Sequence, residues 1–115
     1  MRIVPIRYTA DIAAARRFYL ALGLSSGAES RPGAWAELPA ASGMLALHTA
    51  ADETPGTCEL AFETEEPLED VAARLREAGF EPGPVLDENH GQSLRVRDPD
   101  GVWVQINLLD RELYT

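Results

Sequence analysis

The feature that most constrains this chain is a plan that occurs twice. Each half opens on a short alternating run, passes into an amphipathic stretch that stops at a glycine, and closes with three further apolar runs. The first amphipathic stretch ends in Ala21-Leu22-Gly23-Leu24 and the second in Glu77-Ala78-Gly79-Phe80, with the glycines 56 positions apart. Gly43 and Gly101, which open the last run of each half, are 58 apart. Near-constant spacing of this kind points to an internal duplication. One helix over a four-stranded sheet covers only one sheet face, so two such units can curve together around a shared cleft. The expected fold is α+β: two tandem βαβββ modules forming a curved mixed sheet around a cleft, with the helices on its outer face. Residues 1–115 are read as one domain, with module 1 at about 1–50, a linker at about 51–56 and module 2 at about 57–115.

Local chemistry supplies the elements. Ile3 to Thr9 alternates as a strand, and Pro5 suits an edge or early position. Asp11 is a good N-cap for a helix over Ile12–Leu22, with Ile12, Ala15, Tyr19 and Leu22 on one stripe and Gly23 as the stop. Ser25 to Gly33 reads as loop. Trp35–Leu38 and Met44–Thr49 read as strands, as does Glu59–Thr64. Pro67 opens a second helix at N1, with Leu68, Val71, Leu75 and Ala78 as its buried stripe. Val85–Leu86 is a short strand, and 87–91 is loop. Asp98-Pro99-Asp100-Gly101 then joins two apolar runs as a hairpin turn, since aspartate, proline and glycine each favour turn geometry. In the last strand Trp103, Gln105 and Asn107 share one face, and Val102, Val104, Ile106 and Leu108 the other.

Composition narrows the partners. Ten Lys+Arg, all of them Arg, against nineteen Asp+Glu give a net charge of −9, which repels phosphate backbones and attracts cations. Nucleic acid is not an expected partner; a cationic small molecule is. No apolar run approaches the roughly 18–20 residues of a membrane span, and no signal-peptide core opens the chain, so neither a membrane nor export is expected. The single Cys58 cannot form an internal disulfide, which fits a reducing, cytoplasmic setting.

Candidate binding residues lie on the strands. Glu59 and Glu63 share a face with Ala61 and would anchor a cation if that face lines the cleft; otherwise they are solvated carboxylates. Tyr8, Trp35 and Trp103 offer aromatic faces for planar or cationic groups, with core packing as the competing role. His48 ends its strand as a base, a ligand or a solvated histidine. Gln105 lies on the face of Trp103. His90 sits in a loop with no partner at ligand spacing. Glu65, Glu66, Glu69 and Asp70 complement the dipole of the second helix. There is no Gly-x-Ser-x-Gly motif, phosphate loop or suitably placed pair of histidines.

Val4-Pro5-Ile6-Arg7-Tyr8-Thr9-Ala10-Asp11-Ile12, Arg17-Phe18-Tyr19, Leu22-Gly23-Leu24, the duplicated order and the Asp98–Gly101 hairpin together resemble the vicinal oxygen chelate superfamily. That group includes glyoxalase I, extradiol dioxygenases, and fosfomycin and bleomycin resistance proteins. Its metalloenzymes carry His, Glu or Gln ligands at up to four strand positions. Aligned on Asp11, these fall here on Val4, on Leu47 or His48, on Glu59 and on Gln105. Val4 cannot coordinate. The resemblance is therefore nearest to the bleomycin resistance type. It implies a homodimer without cofactor that sequesters a small cationic or aromatic ligand through Tyr8, Trp35, His48, Glu59, Glu63, Trp103 and Gln105, with no catalytic residues. The alternative it implies is a glyoxalase-like lyase or isomerase with one divalent metal, such as zinc or nickel, on His48, Glu59 and Gln105.

Overall fold

A computed structural model describes residues 1–113. The chain divides into two compact units, one of Ile3–Leu60 and one in which Met1–Arg2 joins the residues from Ala61 onward. The class is α+β, and the order β-α-β-β-β expected of each half is present in both.

In the first unit, β1 (Arg2–Thr9, of which residues 3–9 belong here) leads into α1 (Ile12–Leu22), followed by β2 (Glu29–Ser30), β3 (Trp35–Ala40) and β4 (Gly43–Thr49). β1 runs parallel to β4, and β3 antiparallel to it. Asp11 caps α1 as expected, its Oδ1 accepting from Ala14 N–H at 3.0 Å. Asp11→Ala is expected to cost about 1 kcal/mol, read as a fall in the urea midpoint; an unchanged midpoint would show that the cap carries no weight here. The helix packs on β3 and β4 through Ile12, Ala15 and Tyr19, which meet Ala36, Leu38, Leu45 and Leu47. Leu22, placed on that stripe by periodicity, is instead 67% exposed. Gly23 takes φ 122° and turns the chain back, so Leu24 enters the cluster in its place. The short β2 lies within the segment expected to be loop and is held to β3 by only two residue pairs, Glu29 with Ala36 and Ser30 with Trp35.

In the second unit, β5 (Cys58–Glu63, of which residues 61–63 belong here) precedes α2 (Leu68–Glu77), β6 (Leu86–Glu88), β7 (Gly91–Arg97) and β8 (Trp103–Leu109). β5 runs parallel to β8, which pairs antiparallel with β7. Leu68, Val71 and Ala72 of α2 pack on Leu94, Val96 and Ile106, with Phe62, Leu75, Val85, Val104 and Leu108 around them. Ala78 lies one residue past the helix and is exposed, because Gly79 at φ 95° ends it. The expected 87–91 loop is mostly strand: only Asn89 and His90 separate β6 from β7. The Asp98 turn forms as read, Asp98 Oδ1 accepting from Asp100 N–H at 2.9 Å and Val102 N–H at 3.0 Å. That turn holds Val102 outside β8, leaving it exposed rather than in the core. Near the start of α2, Arg74 donates two hydrogen bonds to Glu66, which hold that carboxyl below the usual carboxylate range. Arg111–Leu113 form a 3-10 turn. No described helix is long and apolar enough to cross a membrane.

Candidate functional site

Alternation sends every second side chain of a strand to the face away from the helix. In the Ile3–Leu60 unit that face carries Val4, Ile6 and Tyr8 from β1, Met44, Ala46 and His48 from β4, and Trp35 and Glu37 from β3. The register makes His48 the direct partner of both Tyr8 and Trp35. His48, rather than Leu47, is therefore the β4 residue on this face; Leu47 is fully buried under α1. The three rings form a row across three strands. Tyr8 and His48 have centroids 5.3 Å apart, and Trp35 meets His48 edge-on at 5.9 Å. All three are half-buried.

A carboxylate stands at each end of this row. Tyr8 OH donates to Glu59 Oε2 at 2.5 Å, a short charge-assisted hydrogen bond. Trp35 Nε1 donates to Glu37 Oε2 at 3.1 Å, and Glu37 is only 4% exposed. The imidazole is oriented by its own backbone: His48 Nδ1 lies 2.7 Å from the Thr49 carbonyl, which can only accept. The proton therefore sits on Nδ1, and in the neutral ring Nε2 is an acceptor. The row offers apolar faces, one ring acceptor and two carboxylates, a set suited to holding a planar or cationic group.

Of the predicted binding residues, Tyr8, Trp35, His48 and Glu59 are brought together in this unit. Glu37 joins them and was not singled out from sequence, although Trp35-Ala36-Glu37 places it two residues on and so on the same strand face.

The other predicted residues belong to the second unit. Arg2 binds Glu63 Oε2 through Nη2 and, at 3.0 Å, through Nε. Trp103 is half-exposed, with the Arg97 guanidinium 4.6 Å from its ring centroid. Gln105 Oε1 accepts from Arg95 Nε at 3.0 Å, and Gln105 Nε2 donates to Asn107 Oδ1 at 2.9 Å. His90 is not a loose loop residue: its Nε2 lies 3.1 Å from the same Asn107 oxygen. Sequence spacing offers His90 no partner nearby, because its partner is 17 residues away on β8.

These residues do not fit the metal centre that the resemblance implies. Val4 is 2% exposed and has no donor atom. The Gln105 amide oxygen already faces a guanidinium. Among the described residues, no three His, Cys, Asp or Glu side chains are grouped to hold an ion.

The fold can be set beside known proteins. Among solved structures the chain is similar to one described as an NAD-dependent benzaldehyde dehydrogenase from Legionella pneumophila, at TM-score 0.73 and 18% identity over 94% of this chain and 99% of that one. It is similar to a hypothetical protein from Bacillus halodurans C-125, at TM-score 0.70 and 16% identity over 94% and 93%. A third is a glyoxalase/bleomycin resistance protein/dioxygenase superfamily member from Vibrio splendidus 12B01, at TM-score 0.62 and 19% identity over 91% and 96%. At these identities the likeness is one of fold. No curated protein matches the chain. The family model for the Glyoxalase/Bleomycin resistance protein/Dioxygenase superfamily matches residues 2–106, nearly the whole chain, and to that superfamily this protein belongs.

Proposed function

We propose that this protein binds and sequesters a small cationic or aromatic organic molecule without metal chemistry, in the manner of bleomycin-type antibiotic resistance proteins. The observation that carries the reading is the row of Trp35, His48 and Tyr8 between two carboxylates. Each aromatic face in contact with a cation or ring contributes about 0.5–2 kcal/mol, so two or three such contacts with apolar burial are enough for a specific small-molecule site. The net charge of −9 raises the local concentration of a cationic ligand and speeds its capture. A binding protein of this kind needs only shape and charge from its site, which is what these side chains offer. The reading includes a homodimer in the cytoplasm. Exposed Phe18 and Leu22 on α1 and the free Cys58 are in keeping with it.

Trp35 lies in the proposed site, so indole fluorescence reports on it. Titration with a bleomycin-type antibiotic, and with benzamidinium as a minimal cationic ring, is expected to give saturable quenching that survives Trp103→Phe and disappears in Trp35→Phe. Glu59→Gln is expected to weaken binding about tenfold, the usual scale for losing a charge next to a bound cation. No response to either probe, or equal affinity in Glu59→Gln, would refute the reading.

A further inference from the structure

Away from the aromatic row, the sheet face of the second unit carries a chain of hydrogen bonds with only one chemically allowed direction. Arg95 has only donors, so the Gln105 atom facing its Nε must be the amide oxygen. The Gln105 nitrogen is thereby turned to Asn107 and must donate to its Oδ1. Because Oδ1 can only accept, His90 Nε2 must carry a proton to reach it. One arginine at the head of the chain thus fixes both amide orientations and one imidazole nitrogen.

The consequence falls at the far end. Asn107 is 6% exposed, yet its Nδ2 has no acceptor among the described residues. The only fully enclosed side-chain polar atom without a partner among those residues is Arg16 Nε, so Asn107 Nδ2 is open to solvent. Glu63 is the register partner of Asn107 on the adjacent parallel strand, and the two side chains emerge on the same face. Both Arg2 contacts use Glu63 Oε2, which leaves Oε1 without a donor among the described residues. Glu63, though not Asn107, also lines an open groove of about 870 Å³ with Arg2, Thr64, Leu108 and Arg111. A fixed donor and a fixed acceptor, each on a nearly buried residue and each without a protein partner among the described residues, stand at paired register positions. Both atoms reach solvent, so a ligand group of matching polarity can take the place of water there.

We propose that Asn107 and Glu63 form a binding site for a neutral carboxamide group. The ligand carbonyl accepts from Asn107 Nδ2, and the ligand N–H donates to Glu63 Oε1. Arg95 and Gln105 act as positioning residues that keep the asparagine in its donating orientation. This site lies in a different unit from the aromatic row and does not depend on the function proposed for that row.

Side-chain amide NMR tests it directly. Titrating the full chain with acetamide is expected to shift the Asn107 NH2 resonances saturably, whereas N,N-dimethylacetamide, which keeps the carbonyl and lacks the donor, is expected to bind about tenfold more weakly. Glu63→Gln is expected to abolish this preference for acetamide, since the replacement amide can also donate. Arg95→Met leaves both contact residues in place and is expected to weaken acetamide binding by releasing the amide chain to flip, an effect that a purely structural Arg95 would not have. Equal affinity for the two probes, or no movement of the Asn107 resonances, would overturn the assignment. If Glu63→Gln fails to fold, the comparison of acetamide with dimethylacetamide in the unaltered chain decides alone.

Discussion

Leu38→Ala is expected to lower the unfolding free energy by about 2–5 kcal/mol, the range for emptying a fully buried leucine site. Leu38 is 0% exposed and sits in the cluster that joins α1 to β3 and β4, with Ile12, Ala36 and Leu47 as neighbours. None of these can move in to fill the space without leaving its own strand or helix position. For a chain of 115 residues, the loss is a large part of a typical stability of about 5–15 kcal/mol. Urea unfolding should show a lower midpoint with an unchanged slope. Arg17→Ala, on the exposed side of the same helix, should change the midpoint little. If the two variants behave alike, the α1 cluster is not the core of its unit.

The second large effect is expected at Gly91. This residue opens β7 with φ 137°, a region that side chains rarely adopt. A Cβ there would run into the Leu108 carbonyl and the Asp110 backbone nitrogen, neither of which is a flexible side-chain end. The backbone conformation alone is worth about 1–3 kcal/mol, and the clash adds to it. Gly91→Ala is therefore expected to lower the thermal midpoint by at least as much as a core cavity. It should also disturb the pairing of Gly91 with Leu109 and of Glu88 with Gly91. Hydrogen exchange would show faster amides in β6 and in the first residues of β7, with the α1 cluster unaffected. A stable, fully protected Gly91→Ala variant would mean that the chain can reroute this corner at little cost.

Where sequence reading succeeded, one physical rule acted alone. Asp11 and Gly23 bound α1 because capping and left-handed geometry are decided by one residue each. The alternation of β8 grouped Trp103 with Gln105, and the pairing of β8 with β7 follows it, because side-chain direction in a strand has a period of two. Reading failed where a distant residue decided the outcome. Leu22 has helical periodicity, but the turn at Gly23 settles which leucine reaches the core. β6 carries Leu86, Asp87 and Glu88, a poor strand signal, and exists because β7 offers it a partner. In the site, the choice between Leu47 and His48 needed the register of β4 against β1. The roles of His90 and Asn107 are invisible from either residue alone, since each depends on an arginine and a glutamine placed by strand pairing.

The segment between β4 and Glu59 is tied to β1 near both of its ends: Ala50 N–H donates to Thr9 O at 2.9 Å at the start, and Tyr8 holds the far end. Tyr8 donates its backbone N–H to Thr57 O at 3.0 Å and accepts from Gly56 N–H at 2.9 Å. Residues 51–53 lie between those ties and are exposed. Insertions and deletions there would change only the size of a surface bulge, so descendants of this chain are free to vary its length. Between Thr57 and Glu59 the tolerance vanishes: one added residue would exchange the two strand faces, bringing the carboxylate to the helix side and removing the acceptor of the Tyr8 hydroxyl. Lineages that keep the tyrosine–glutamate pair should therefore share a fixed Thr57-to-Glu59 spacing and differ upstream of it.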